Sequence, residues 1–568
     1  MPGTNAVGVR LESRAVLSPR VAVGLVLFAA LLRIPTLALR HLVEGDGVHY
    51  ARLARFVLAG DFSGLANPYW SNLWPALIAA TSVVTGLDVV AAGRLAALVS
   101  GVLLVPATAA LATRIFGPTA GLVAGLLAAA HPWLIHFSTL VFTESFFGLL
   151  LVAFLLAVLS AAGSPLAAVS AGLLGGLAVV TRPEASAASV AAVLWLPTSA
   201  AGSARGRAAA RAAVVGGIIA LFVCGRAALV HRYFGLWDFG IGNKGTANLF
   251  VGLARDDTDM ERIATEVGPD GTSVLARSAE KQTLAGFALS HPALLTRHIA
   301  RNLGRLAAAA TRVFPFVPLV GGRHPLWSGT WPGLLTISAS AAGTFALWGL
   351  VSAVRDPRTA RLAGLLLATG TLYALGLAPL FVHDRLVVAL VPLFVIFLAQ
   401  GLASAARPFV PVERHLQWLL GTLLVVLGVL SLTRLFRAPT LDYAGDPVVQ
   451  RETGEWLAAR YPQDTPIMTA AVSVGFYFYD VAHAHQEGTL PWANVDEVIR
   501  LARLQGKRVL VVPEWHLRAV RHPAAPVLLH PEREYPGLRH AATLGSEPSG
   551  RMFVYEIQPA PSPAVPPP

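Results

Sequence analysis

The chain has 568 residues, 55% hydrophobic and only 13% charged, with a mean hydropathy of +0.60, which places it among polytopic membrane proteins. Its net charge of +12 is not a nucleic-acid footprint, because most of the excess arginine lies in short loops, where the positive-inside rule puts it. The single cysteine, Cys224, lies within an apolar span and excludes a disulfide framework; it reads as a packing residue. Heavy use of Ala, Leu and Arg with little Lys suggests a GC-rich bacterial genome.

Apolar stretches long enough to cross a bilayer occur at about 21–39, 91–112, 119–138, 144–162, 166–181, 185–200, 212–230, 332–354, 361–380, 385–405 and 416–434. The first is preceded by Arg10, Arg14 and Arg20 and lacks a small-residue cleavage site, so it reads as an uncleaved anchor behind a cytoplasmic tail, residues 1–20. A further stretch, 71–87, is short, contains polar residues and follows the aromatic, Pro-rich Asn67-Pro68-Tyr69-Trp70. If it crosses, Arg114, the Arg205/Arg207/Arg211 cluster and the Arg355/Arg358/Arg361 cluster all fall outside. If it is re-entrant or interfacial, all three fall inside, with Arg407 and Arg414. The second arrangement satisfies the charge rule at every short loop and gives eleven crossings.

Directly after the first span comes Glu44-Gly45-Asp46-Gly47-Val48-His49-Tyr50. Carboxylates at a membrane boundary are costly unless they face water or a functional cavity. A second acid, Glu144, opens another apolar span, and the parity argument puts Asp46 and Glu144 on the same, outer side. Thr181-Arg182-Pro183-Glu184 and His383-Asp384-Arg385 fall there too, each linking two spans. Polar chemistry gathered at one face is not expected of a transporter, whose polar groups lie near the midplane on interrupted helices.

Val48 to Leu58, with Arg52 and Arg55 among apolar residues at helical spacing, reads as an amphipathic helix on the membrane surface. In the long outer segment, Gly240-Ile241-Gly242-Asn243-Lys244-Gly245-Thr246 reads as a flexible Gly-rich loop carrying one cation. Further on, Arg297, Arg301 and Arg305 recur every four residues, with Arg312 seven beyond. They fit either an interfacial helix with snorkelling side chains or a guanidinium row for a lipid-linked phosphate.

Chain character changes after about 436. Glu452 to Arg460 and Val495 to Leu504 read as helices; Pro466-Ile467-Met468-Thr469, Arg508–Pro513 and Met552–Ile557 read as strands. Residues 436–558 therefore form a small α/β domain, without a Gly-rich phosphate loop, ahead of a Pro-rich disordered tail, 559–568. The run Phe476-Tyr477-Phe478-Tyr479 reads as strand or core helix rather than a sugar platform. His483 and His485 show no partner at metal-ligand spacing.

Transfer of a sugar from a lipid phosphate needs a carboxylate to take the acceptor proton, cations or a metal to hold the departing phosphate, and a groove for the lipid. Asp46 supplies a base, and the Arg and Lys residues supply a phosphate site. In their order these residues resemble the bacterial multi-spanning C-type (GT-C) glycosyltransferases related to protein O-mannosyltransferases and the lipid A aminoarabinose transferase. That family places an Asp in the first external loop with a Tyr four positions later, matched by Asp46 and Tyr50; its usual second acid is replaced by Gly47. Its next acidic position falls on Glu144. Thr181-Arg182-Pro183 looks like its Thr-Arg/Lys-Pro element, and His383-Asp384-Arg385 is similar to its late Arg-containing turn. Several members carry Lys before Pro where this chain has Asn67-Pro68, which raises Lys244, Arg182 and Arg385 as substitute phosphate contacts.

The resemblance covers about residues 15–435 and rests on order and spacing. It implies a GT-C-like transmembrane domain over 21–435, with external loops at 40–90 and 231–331. It also implies a polyprenyl-phosphate-linked monosaccharide donor and an inverting single displacement onto a lipid, glycan or protein acceptor, on the outer face of the bacterial cytoplasmic membrane. No obligatory metal and no other cofactor is expected. Catalysis is expected of Asp46 and Glu144; substrate contacts are expected of Glu44, Tyr50, Arg182, Glu184, Lys244, His383, Asp384 and Arg385. Competing readings make Asp46 a helix N-cap, Glu44 a solvated loop acid, His49 a packing residue, and Arg182 and Glu184 a simple pair across their turn. At the level of the whole protein the competing readings are a lipid-linked-glycan flippase and a non-catalytic envelope scaffold.

Overall fold

The first apolar run forms a helix over Pro19–Ala38, and helices account for most of the remaining chain. The computed structural model describes residues 16–38, 43, 45–200, 202, 204–239, 243–270, 272–275, 278, 284–314, 331–409, 415, 417–418, 421–422, 447–546 and 550–559. The chain divides into two units. One, helical, takes residues 1–41, 65–240 and 296–441; the other takes 42–64, 241–295 and 442–568.

Within the helical unit six described helices are long and apolar enough to cross a membrane: Pro19–Leu37, Val89–Phe116, Glu144–Ala161, Ala204–Phe234, Pro357–Leu377 and Asp384–Ala406. Large apolar side chains stand exposed on them, such as Leu31 at 62% and Leu221 at 72%, as expected where lipid is the solvent. Leu73–Thr85, Pro118–Ala130, Pro165–Thr181 and Ala185–Thr198 are shorter apolar helices. The protein is a multi-pass helical membrane protein, but its count of eleven crossings is matched by only six helices of full length among the described residues. The span expected at 416–434 lies almost wholly outside the described residues.

The stretch 119–138 is not one helix. His131 is extended (φ −69°, ψ 120°) because the ring of Pro132 disfavours helical backbone before it, so Pro118–Ala130 ends there and Pro132–Phe137 starts afresh. The break frees carbonyls at the end of the first helix. Fully buried Arg33 fills the gap, donating from Nη1 to the Ala129 carbonyl (3.0 Å), from Nη2 to Ala128 (3.4 Å) and from Nε to Ser138 Oγ (3.1 Å).

Close helix approach is set by missing side chains. A Cβ on Gly349 would stand 1.9 Å from the Phe397 carbonyl oxygen, and one on Gly401 would stand 1.8 Å from that of Phe345. The helices Trp331–Arg355 and Val391–Ala406 thus touch backbone to backbone through reciprocal glycines.

The second unit is built on a five-stranded sheet in the order β2-β1-β3-β5-β4: β1 Ile467–Thr469, β2 Glu487–Thr489, β3 Val509–Pro513, β4 Leu538–Ser546 and β5 Gly550–Ile557. β1 pairs in parallel with β2 and β3, whereas β5 runs antiparallel to β3 and β4. The buried, all-apolar Val509–Pro513 is the central strand that its composition indicates. β2 and β4 escaped the sequence reading because their exposed faces break the apolar alternation. The aromatic run ends a core helix, Val472–Phe478. The segment Asp257–Thr265 is tied to the same unit: His516 Nε2 lies 3.0 Å from Glu261 Oε1, and the Trp492 amide donates to the Thr265 carbonyl (3.3 Å).

Two outcomes follow from these packings. Gly401→Val forces the paired helices apart, so thermal unfolding in detergent should show a loss of about 1–3 kcal/mol or more. In the sheet unit, buried His522 accepts the Ala524 amide at Nδ1 (3.2 Å), and its Nε2 lies 3.1 Å from the Pro491 carbonyl, an arrangement that fits only the neutral ring. Burial lowers its pKa from 6.5 to about 4. Unfolded chains bind the extra proton between those values, so stability is complete above pH 6.5 and declines as the pH falls toward about 4. A pH series of melting curves should show that decline, flattened in His522→Gln.

Candidate active site

Glu144 is the first residue of Glu144–Ala161, where the helix dipole favours a carboxylate; Thr143 occupies the cap position without a side-chain cap bond. Arg182 ends Pro165–Thr181 in extended backbone (φ −148°, ψ 122°), and Glu184 precedes Ala185–Thr198. Pro183 makes the intervening link short and non-helical, so both side chains project from one tight turn.

These three residues meet. Arg182 Nη1 lies 3.1 Å from Glu144 Oε1, and Nη2 lies 3.5 Å from Glu184 Oε1. The Glu144 side chain is 2% exposed, and its Oε2 is buried without a hydrogen-bond partner. Phe147 lies under the guanidinium (5.5 Å to the ring centroid) and packs on Tyr373, whose hydroxyl donates to the Leu386 carbonyl (2.9 Å). The cluster holds two carboxylates against one guanidinium, and Glu144 Oε2 is left to accept a hydroxyl hydrogen bond. Arg182 and Glu184 are therefore more than a pair across their own turn.

The turn at 383–385 divides its residues among different tasks. Exposed His383 accepts the Arg385 amide at Nδ1 (3.3 Å), capping a short helix. Asp384 accepts two bonds from Arg312, at 2.8 and 2.6 Å. The Arg385 guanidinium stands 5.9 Å from the Phe142 ring centroid, one aromatic neighbour along from Glu144. The arginine row of Pro292–Val313 is likewise divided. Arg312 is taken by Asp384, Arg301 Nη2 lies 3.2 Å from His298 Nδ1, and Arg305 Nη1 donates to Asn302 Oδ1 (3.4 Å). Asn302 in turn donates to the carbonyls of Ala378 (2.9 Å) and Leu380 (2.6 Å).

Asp46, in the second unit, is the first residue of Asp46–Leu58; the cap position belongs to Gly45 (φ 49°), which makes no side-chain bond. Asp46 is thus not the N-cap. Tyr50, one turn on, is buried. Burial lowers the pKa of His49 to about 4, with Asp46 raising it and Arg52 lowering it, so the ring beside the acid is neutral at physiological pH. The helix expected on a membrane surface is present, but its Arg52 and Arg55 bind the sheet unit instead: Arg52 donates to Glu487 and Arg55 to the Phe476 carbonyl. Glu44 lies outside the described residues. Lys244 sits on Asn243–Gly252, so the expected Gly-rich loop turns helical at Asn243; its side chain lies outside the description.

Several residues escaped sequence reasoning: His298, Asn302, Arg312 as partner of Asp384, and Arg226, which pairs with Asp238 (3.1 Å) and binds Asn72 (2.7 Å). His298, Asn302 and Leu306 lie on one buried helical face, a spacing that could have flagged the two polar members. Asp480, three residues before His483, pairs with it at 2.8 Å and was passed over as a partner.

The fold is similar to that of solved GT-C glycosyltransferases. ArnT from Cupriavidus metallidurans, solved bound to undecaprenyl phosphate, matches with a TM-score of 0.56 at 14% identity, over 94% of this chain and 97% of that one. The Archaeoglobus fulgidus oligosaccharyltransferase, in complex with Zn and sulfate, matches with a TM-score of 0.57 at 15% identity, over 92% and 72%. The oligosaccharyltransferase AglB of the same organism, with an inhibitory peptide and a dolichol-phosphate, matches with a TM-score of 0.54 at 14% identity, over 94% and 74%. No family model and no curated protein matches the sequence.

Arg182 holds the Glu144 charge in a buried place. Arg182→Ala should cost roughly 3–5 kcal/mol of stability, read as a lower melting temperature in detergent. The double variant Arg182→Ala/Glu144→Ala should recover part of that loss, because the uncompensated carboxylate is gone.

Proposed function

We propose that this protein is a glycosyltransferase that moves a monosaccharide from a polyprenyl-phosphate donor to a lipid, glycan or protein acceptor. The observation that carries the reading is the GT-C fold, matched along nearly the whole length of ArnT, whose structure holds undecaprenyl phosphate. Asp46 acts as general base toward the acceptor hydroxyl, and Glu144, with one free carboxylate oxygen, assists or orients. Arg182 and Arg385, with Lys244, are the cations for the donor phosphate; Glu184, Tyr50, Glu44 and His383 complete the substrate contacts. Asp384 serves by holding Arg312. Because the phosphate is already a good leaving group, a single inverting displacement suffices, without a covalent nucleophile or an obligatory metal. Charge parity supports an active site on the extracytoplasmic face of a bacterial cytoplasmic membrane.

The decisive assay is transfer from a panel of labelled undecaprenyl-phosphate monosaccharides in membranes containing the full chain. Asp46→Asn should lose transfer by about 10²–10⁴-fold, the range for removing a general base, while donor binding persists. Full transfer by that variant would sink the base assignment; transport of the donor without label transfer in the parent would favour a flippase.

A further inference from the structure

The helix Asp46–Leu58 is anchored to the sheet unit through its later turns. Two turns after Asp46, Arg52 Nη2 donates to Glu487 Oε2 (2.6 Å) and to the Val472 carbonyl (3.4 Å). One turn further, Arg55 Nη1 donates to the Phe476 carbonyl (2.9 Å), and its guanidinium lies 3.8 Å from the Phe476 ring centroid. Phe56 packs into the sheet's apolar core.

The anchor is built at evident cost. The Glu487 side chain is 9% exposed and its Oε1 has no hydrogen-bond partner, so burial raises its pKa while Arg52 holds it down. Gly475 lets the acid approach, because a Cβ there would stand 2.4 Å from the Glu487 carboxylate. A helix lying on a membrane surface needs none of these contacts. They fix the helix at Arg52, Arg55 and Phe56, all within three turns of Asp46.

We propose that the α/β domain serves as the holder of the catalytic acid: Glu487 and Phe476 are positioning residues that act on Asp46 through Arg52 and Arg55. This rests on the reading of Asp46 as the base. A base misplaced by about 1 Å loses up to about 10²-fold in turnover, so a rigid holder has kinetic value beyond stability.

The test uses the full chain in lipid nanodiscs, with turnover counted per folded molecule on the labelled undecaprenyl-phosphate monosaccharides. Amide exchange over residues 46–58 is followed in the same samples. Glu487→Ala and Arg55→Ala should make that helix exchange about tenfold faster. Both should lower kcat by about 10- to 100-fold with KM within about twofold, and Glu487→Gln, which still accepts from Arg52, should restore most of kcat. If Glu487→Ala does not fold, Arg55→Ala and Arg55→Lys carry the test. Unchanged exchange, or unchanged kcat with faster exchange, overturns the holder. Asp46→Asn with full turnover overturns the base reading instead, and the exchange data tell the two failures apart.

Discussion

The helical unit hinges on the bond between Arg182 and Glu144. A carboxylate with a 2% exposed side chain at the start of an apolar helix pays a heavy desolvation cost, which the dipole of its own helix offsets only in part. The guanidinium supplies the remainder, and it reaches Glu144 because Pro183 forces a tight, extended link between two helices. Phe147 and Tyr373 then wall off the pair. Satisfaction is incomplete by one oxygen, and in a buried cluster an incompletely satisfied acceptor is where chemistry finds a hydrogen-bond site.

The same economy governs the other buried charges. Arg33 caps carbonyls that Pro132 releases, Arg226 ties Asp238 and Asn72, and Asn302 satisfies the carbonyls ahead of the 383–385 turn. Each cation or amide sits where a proline or a helix end has left backbone groups without partners. Placement of irregular backbone therefore decides where polar side chains can be buried at all.

Apolar run length made most helices legible, and Pro132 and Gly401 show where that signal stops. Run length does not see a helix broken by one ring, nor a contact that depends on an absent Cβ. Among site residues, Glu144, Arg182 and Glu184 were legible as boundary charges, and the structure joins them. Asp384 was legible as a charge but not as the partner of Arg312, since 72 residues separate the two and no local pattern links them. Arg52 and Arg55 misled for a related reason: arginine on an amphipathic helix reads the same whether it meets lipid headgroups, water or a folded domain. Only the distant Glu487 and Phe476 distinguish these cases.

That ambiguity bears on what the small α/β domain does for the segment that follows the first span. The described bonds of Glu144 and Arg182 are made to residues of the helical unit. The described contacts of the first-loop helix's arginines, by contrast, go to the sheet unit. A short loop helix of 13 residues is marginal by itself, and its Gly45 and Gly47 flank the acid with the two most permissive residues available. Left alone, such a segment would sample many orientations. Its contacts through Arg52 and Arg55 select one of them, and the glycines beside the acid then cost the fold little of the order that the arginines impose.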